Sequence, residues 1–397
     1  MGGEQGTVEG VGMKVGRESA PFGGVFAGAR VLVTGHTGFK GAWLSEWLLT
    51  LGAEVTGYAL EPDTDPSLFV QLGLADRLQH HVGDIRDAGA VGKLVDATRP
   101  RFVFHLAAQP IVRRSYREAH YTWETNVMGT INVLEALRRL EEPCAAVMVT
   151  TDKCYENREW LFGYRENDPL GGHDPYSSSK AGAELAIASW RSSFFTEGHP
   201  VRIASARAGN VIGGGDWAED RIVPDSMRAL SRGEPIHVRN PSATRPWQHV
   251  LDPDSGYLAL AAALALRPED RRLDSAFNIG PGHDANQPVR NLVAETLRHW
   301  PGEWIDHSSA TAPHEASLLQ LDNGKIEAIV GWRPAWTFRE AVGRTVAWYR
   351  DMHEHRAASA ARDFTLRDIS AYVEAAARAE AAWTGPAAFP LPNVTNA

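Results

Sequence analysis

Cysteine is nearly missing from this chain: Cys144 and Cys154 are the two in 397 residues. Two thiols build neither a disulfide framework nor a metal site of known spacing, so the expectation is no metal and a cytoplasmic location. No apolar run approaches the roughly 18 residues that a transmembrane helix requires. Residues 1–20 contain glycine and glutamate without an apolar h-region, and they do not read as a secretory signal. Excess positive charge is absent as well. A net charge of −9 argues against nucleic acid or an anionic membrane as the main partner, while leaving room for a local basic pocket that takes a phosphorylated small molecule. Lysine is scarce, six against 34 arginines, a compositional bias to which no function is attached.

What is present suits a globular protein with a substantial core: 43% hydrophobic and 22% charged residues. The length implies more than one ordinary domain, or one large domain with an inserted second lobe. Residues 1–27 read as a flexible leader. Short apolar strands are expected at 30–34, 54–60, 80–82, 102–106 and 145–150. An apolar helical pattern at Trp43, Leu44, Trp47 and Leu48 follows the first, a helix occupies 88–97, and a long helical region covers 116–141. This alternation predicts an α/β fold, a Rossmann-type doubly wound parallel sheet, over residues 28–205. After about residue 205 the texture changes. Gly209, Gly213, Gly214 and Gly215, with Pro224, Pro235, Pro241 and Pro246, indicate long structured loops. Residues 206–356 are therefore read mainly as a smaller, loop-rich substrate-binding lobe, with the helical stretch 251–266 returning to the first lobe. Residues 357–397 read as a C-terminal helix and tail.

The candidate chemistry lies at strand ends. Gly35-x-x-Gly38-x-x-Gly41, with Thr37, Phe39 and Lys40 between the glycines, joins the first strand to the first helix. Glycines there let the backbone turn sharply and approach a pyrophosphate, whose charge the helix N-terminus meets. The acid expected at the end of the second strand is replaced by Ala59. No Arg or Lys lies between Ala53 and Gln71 to meet a 2′-phosphate, which leans toward NAD. Asp84 is either an acceptor for adenine or a helix N-cap. Ala107 and Ala108 are small, as suits a backbone that approaches a cofactor. The buried strand at 145–150 ends on Thr151, Asp152 and Lys153, three proton-exchanging groups where such sheets bind ligands. Downstream, Asp174 and Pro175 begin a helix as N-cap and first residue, which puts Tyr176 and Lys180 on one face. The ammonium and the helix dipole are expected to push Tyr176 toward phenolate, making it a base for an alcohol. Chance yields about 0.14 Tyr-x-x-x-Lys pairs here, so the pair gains weight only from its surroundings. Cys154 reads as a buried bystander. Arg207, Asn210, Arg221, Arg239, Arg245 and His249 are candidates for a substrate's phosphates. Ordinary salt bridges, and for His249 packing, are the alternative.

Together these motifs, with Gly-Asp-Ile at 83–85, His-Leu-Ala-Ala at 105–108 and the Asn126-Val-x-Gly-Thr stretch, resemble the extended short-chain dehydrogenase/reductases that act on nucleotide sugars. Residues 34–41, 151–160, 163–167, 206–217 and 245–250 are similar to the 4,6-dehydratases among them, and the likeness runs from about 29 to about 350. The resemblance implies NAD recycled within one turnover and a nucleotide-sugar substrate, CDP-glucose favoured. Tyr176, with Lys180 and Thr151 assisting, would take the C4 hydroxyl proton as hydride leaves C4. Lys153, where related dehydratases have Glu, would be the C5 base, and a protonated Asp152 would donate to the departing C6 oxygen. It further implies cofactor contacts from Ile85 and Leu106, substrate contacts from Gln109 and Arg114, and a homodimer or homotetramer built through helices beside the Tyr-x-x-x-Lys helix. Two rivals are a nucleotide-sugar 4-epimerase, which oxidises C4 without elimination, and a non-catalytic NAD-sensing protein.

Overall fold

The computed structural model describes residues 20–308, 318–355 and 360–385. Strands β1 (Arg30–Thr34), β2 (Glu54–Ala59), β3 (Gln79–Val82), β4 (Phe102–His105), β5 (Cys144–Thr151), β6 (Val201–Ala208) and β7 (Ala276–Ile279) form one seven-stranded sheet in the order β7-β6-β5-β4-β1-β2-β3. Every pairing is parallel. Strands β4 to β7 are buried along their whole length, and β5 accordingly opens on an apolar run rather than an alternating one, while β6 carries Arg202, Ser205 and Arg207 into the interior. Strand order reverses between β1 and β4, so the crevice beyond their carboxyl ends is where a ligand belongs.

The flanking helices are α1 (Phe39–Thr50), α2 (Ala88–Thr98), α3 (Gly129–Leu137), α4 (Pro175–Ser193), α5 (Leu251–Leu266), α6 (Phe338–His355) and α7 (Ala360–Arg378). Helix α5 is buried from Leu251 to Leu264 and packs on β5, β6 and α1. An all-round apolar helix has no solvent face to offer, so it sits inside. The helical region expected over 116–141 is interrupted: short turns at Val112–Arg117 and Ala119–Trp123 and a wide π turn at Glu124–Met128 precede α3.

Two expected boundaries need correction. The sheet does not end at residue 205, because β6 runs to Ala208 and β7 returns from beyond it. Between them lie the helix Ile222–Ser231 and short strands, of which Thr244–Pro246 and Ile236–Val238 pair with Asn286–Pro288 and Trp304–Asp306 from beyond β7. The leader is the second correction. Residues 1–19 lie outside the described residues, but 20–27 are anchored. Phe22 and Phe26 are fully buried. Phe22 stacks on Trp383 with ring centroids 4.6 Å apart, and Phe26 meets Phe102 of β4 at 4.7 Å. Phe22 and Trp383 thus meet over Trp47 of α1, with Tyr372 of α7 against Trp47 and Trp336. Two phenylalanines among glycines show no periodicity, and their partners, Trp383 for Phe22 and Phe102 for Phe26, are distant in sequence.

Candidate active site

The β1–α1 turn is built from glycines for want of space. Gly35 has φ +78°, and a Cβ there would lie 2.7 Å from the Ala107 nitrogen; one on Gly41 would lie 2.1 Å from the Gly35 carbonyl oxygen. The N-cap of α1 is Gly38, without a side-chain cap, so the first-turn amides are left for an anion. A dinucleotide pyrophosphate fits such a turn. Thr37 Oγ1 donates to the Leu60 carbonyl at 2.9 Å, and Phe39 packs on the core. Where the second strand lacks its acid, the His36 ring lies against Gly57 and pairs with His80, Nε2 to Nδ1, at 2.7 Å. Burial, with repulsion from His80, pulls His36 down to about 3.

Asp84 is not a helix cap. Its carboxylate is engaged by Arg86, with Nη2 at 2.6 Å, and Asp87 caps α2 by accepting from the Ala90 amide. Ile85 is buried beside Gly129. After β4, the Leu106 amide donates to the Thr34 carbonyl and the Ala107 amide to Thr34 Oγ1, which brings Leu106 and Ala107 against the glycine turn at Gly35.

Strand β5 delivers Thr151 to a tight turn at Asp152–Cys154. Thr151 Oγ1 donates to Asp152 Oδ1 at 3.0 Å and accepts from the Lys153 amide at 3.4 Å. Lys153 Nζ donates to Asn210 Oδ1 at 3.2 Å and lies 3.7 Å from Asp152 Oδ1. Against this turn packs the start of α4, where Asp174 accepts from the Ser177 amide at 3.0 Å and Pro175 occupies the first turn. The Tyr176 amide is held by Ser115 Oγ at 3.2 Å. Tyr176 and Lys180 are both buried, and Lys180 Nζ reaches the Val149 carbonyl at 3.5 Å. Cys154 is buried with its thiol pushed up, a bystander.

The electrostatics correct one expectation. Among the protein's own groups burial dominates at Tyr176 and raises its pKa; Asp152 and Asp174 add to the rise, while a hydrogen bond with the Thr151 side chain and the charge of Arg221 oppose it. The expected push from Lys180 does not prevail, because removing a phenolate from water costs more than a neighbouring charge returns. Lys180 itself is pulled down to about 8 by burial and then by Lys40, with Glu184 opposing. Lys40 is likewise pulled to about 8 by burial, opposed by Asp254; its Nζ donates to the Tyr257 hydroxyl at 3.0 Å. The glycine-turn lysine therefore belongs electrically to the same cluster as Tyr176, Lys180 and Asp152.

The arginine candidates separate. Arg221 stands beside Tyr176, ion-paired to Asp216 at 2.8 Å. Arg239 and Arg113 share Asp220 Oδ1 at 3.0 and 3.2 Å on the rim. Arg245 is half-buried and Arg114 pairs with Glu118 at 2.8 Å. Arg207, by contrast, is a structural residue in a buried ion pair with Glu184, 2.8 Å apart. His249 must be withdrawn as a substrate contact: it is fully buried between Trp43 and Trp336, with Nδ1 accepting from the Leu251 amide. Gln109 is also a core group, its amide donating to Thr122 and its carbonyl accepting from the Ile111 amide. Sequence reasoning missed Ser115, Arg113 and Glu184. Only Glu184 left a sign, lying one helical turn beyond Lys180 on the same face.

Comparison with known proteins agrees with this arrangement. Residues 32–345 match the family model described as GDP-mannose 4,6 dehydratase. The chain is 45% identical over 360 residues to the CDP-glucose 4,6-dehydratase of Salmonella typhimurium, covering 88% of this chain and 98% of that protein. Among solved structures, the dTDP-glucose 4,6-dehydratase DesIV of Streptomyces venezuelae, with NAD and TYD bound, superposes with a TM-score of 0.69 at 26% identity over 82% of this chain and 98% of its own. The UDP-glucuronic acid 4-epimerase of Bacillus cereus shares the fold, with a TM-score of 0.70 at 20% identity over 81% of this chain and 99% of its own. With a glycine turn shaped for a dinucleotide, a Tyr-x-x-x-Lys helix facing a Thr-Asp-Lys turn, and a match across most of its length, this chain belongs to the GDP-mannose 4,6 dehydratase family.

Proposed function

We propose that this chain converts CDP-glucose to CDP-4-keto-6-deoxyglucose and water, with NAD as resident cofactor. The observation that carries the reading is the Asp152–Lys153 pair beside Tyr176 and Lys180. Oxidation at C4 alone, as in a 4-epimerase, requires the tyrosine and lysine but no second acid and amine. Elimination of the C6 hydroxyl requires an acid for the leaving oxygen and a base for C5–H, the parts Asp152 and Lys153 would take. The 45% identity to the Salmonella dehydratase favours CDP-glucose among nucleotide sugars.

Gly35, Thr37, Gly38, Phe39, Lys40 and Gly41 would hold the pyrophosphate of NAD, Asp84 and Ile85 its adenosine side, and Leu106, Ala107, Ala108, Tyr176 and Lys180 its nicotinamide side. NAD supplies the hydride acceptor for C4 and the hydride donor for C6. Tyr176 takes the C4 hydroxyl proton, with the Lys180 ammonium favouring phenolate. The C4 ketone acidifies C5–H, which Lys153 removes while Asn210 orients its amine. Asp152, protonated, releases the C6 oxygen as water. Arg221, Arg239 and Arg245, with Arg113 at the rim, are the candidates for the diphosphate, and Arg114 lies nearby.

The same reading extends to assembly and location. Trp123, Met128 and Leu185 stand 43%, 50% and 61% exposed on the helices beside the Tyr-x-x-x-Lys face, an apolar surface suited to a homodimer or to one interface of a homotetramer. The free, buried cysteines favour the cytoplasm, and no described helix is long and apolar enough to cross a membrane.

Mass spectrometry of products from CDP-, dTDP-, UDP- and GDP-glucose tests the proposal. The expected outcome is loss of water, greatest from CDP-glucose. An isobaric 4-epimer without water loss would replace the dehydratase reading with the epimerase one.

A further inference from the structure

His105 ends β4 and opens the His-Leu-Ala-Ala stretch, yet no step of the proposed reaction uses it. The ring is buried with both nitrogens engaged: Nδ1 meets Thr34 Oγ1 at 2.7 Å and Nε2 meets Thr130 Oγ1 at 3.1 Å. Neighbouring bonds fix where its proton sits. Thr130 Oγ1 donates its single proton to the Asn126 carbonyl at 2.7 Å, so toward the ring it can only accept, and Nε2 must carry a hydrogen. Thr34 Oγ1 accepts from the Ala107 amide at 3.3 Å, and its own proton goes to Nδ1. The ring is therefore neutral, protonated on Nε2 alone. Burial and then the charge of Lys180 act in the same direction, pulling His105 down to about 3.

The series of bonds continues beyond the ring at both ends. On one side is Ala107, in the loop that lies against Gly35 and is proposed to border the nicotinamide. On the other is Asn126, in the wide turn at Glu124–Met128. Its side-chain nitrogen donates to Ser179 Oγ at 2.9 Å, and Ser179 Oγ donates to the Tyr176 carbonyl at 2.7 Å. The same side chain clasps Gln109 of the β4 loop, donating to its carbonyl at 3.2 Å and accepting from its amide at 2.8 Å. Thr34, Asn126, Thr130 and Ser179 are all buried. Every donor points from the Ala107 loop toward Tyr176, and each hydroxyl accepts one bond and donates one.

We infer that His105 is a positioning residue: its neutral ring, protonated on Nε2, holds the Ala107 loop and the first turn of the Tyr176 helix at a fixed separation. Hydride and proton leave the same C4–OH unit, so the places that receive them must stay in register. A displacement of about 1 Å at such a site can cost roughly 100-fold in rate. Imidazole suits the position because it carries one donor and one acceptor on a single rigid ring. Protonating Nδ1 as well would turn that nitrogen into a donor facing the Thr34 proton and break the series there. No proton travels along the chain. The consequence for catalysis rests on the dehydratase reading above, whereas the bonding of the ring does not.

The test pairs a spectroscopic measurement with a kinetic one. In 15N-histidine-labelled protein at pH 7, the His105 signals, assigned by their loss in His105→Phe or in Thr130→Val, should show a protonated Nε2 and an unprotonated Nδ1. Single-turnover experiments, with enzyme in excess over CDP-glucose, then follow the 4-keto sugar by its alkali-shifted absorbance. They read the rate constant of a competent site, which loss of folded protein does not change. His105→Phe and Thr130→Val should each lower that constant at least ~10-fold, and C4-deuterated substrate should slow both variants further. Thr130→Ser, which keeps the hydroxyl, should recover most of the rate. Unchanged rate constants in Phe and Val variants that are folded by circular dichroism would reduce the chain to ordinary core bonding and overturn the positioning role. So would a serine variant as slow as the valine one. If wild type forms no 4-keto product from any nucleotide sugar, the dehydratase reading fails by itself. The nitrogen shifts then decide the ring alone: protonation on Nε2 only upholds its bonding, and any other state overturns it.

Discussion

Replacing Glu184 with glutamine separates charge from shape beneath the proposed catalytic helix. The Glu184 side chain is 1% exposed and faces Arg207 at 2.8 Å. It also accepts from Thr150 Oγ1 at 2.5 Å and from Ser205 Oγ at 2.9 Å, tying α4 to β5 and β6. Burial pushes this carboxyl up, but the Arg207 charge and these hydrogen bonds outweigh it and hold it below the usual range. Glutamine fills the same volume yet leaves Arg207, with a side chain 4% exposed, facing neutral partners such as the Tyr155 hydroxyl at 2.8 Å and the Glu166 carbonyl at 3.0 Å. Stranding a buried charge costs about 3–5 kcal/mol, to be read at pH 7 by denaturant or thermal unfolding monitored by tryptophan fluorescence. Because the folded pKa is depressed, the stabilisation is present above the unfolded value and fades as pH falls through the folded one, so the two proteins should converge in acid. Adding Arg207→Met removes the stranded charge, and the double variant should lose less than the sum of the singles by about 1–3 kcal/mol. The same carboxylate supports the Lys180 ammonium against burial and Lys40. The alkaline limit of activity should therefore move to lower pH in Glu184→Gln. A loss below about 1 kcal/mol, strict additivity in the double variant, or an unmoved alkaline limit in a folded protein would refute this account.

Other outcomes follow from single groups. Tyr176→Phe should lower dehydration at least ~100-fold in steady-state assays while the protein remains folded by circular dichroism, since the hydroxyl acts only on a proton in transit. With Lys180 pulled to about 8, kcat should decline as pH rises through that value and the ammonium is lost. Stability should change in the opposite sense: the unfolded chain holds an extra proton from about 8 up to the ordinary 10.5, so this lysine makes the fold more stable as pH climbs through that window, measurable by unfolding at several pH values. Phe22→Ala should cost about 3–5 kcal/mol in urea unfolding, because it empties the site between Trp47 and Trp383. A loss near zero would return that segment to the status of a loose leader.

Much of the nucleotide half was legible in the residues alone because its signals are local. A strand of 30–34 followed by spaced glycines and an apolar helical pattern specifies strand, turn and helix within one window, and the turn then has space for little but glycine. Asp174 and Pro175 start α4, and helix period alone brings Tyr176 and Lys180 to one face. The tertiary structure decided everything that depends on pairing across distance. Arg207 and Arg221 are the same residue type in similar loop-rich sequence, yet one meets Glu184 in the core and the other stands beside Tyr176. His249 went to the core because Trp43 and Trp336 enclose it, and Phe22 was ordered by a tryptophan from the opposite end of the chain. Even the direction of the Tyr176 shift changed, since a helix dipole can be inferred from a cap residue but burial is known only once the surrounding elements have packed. Backbone geometry is dictated over a few residues, whereas desolvation and ion pairing are properties of the assembled volume.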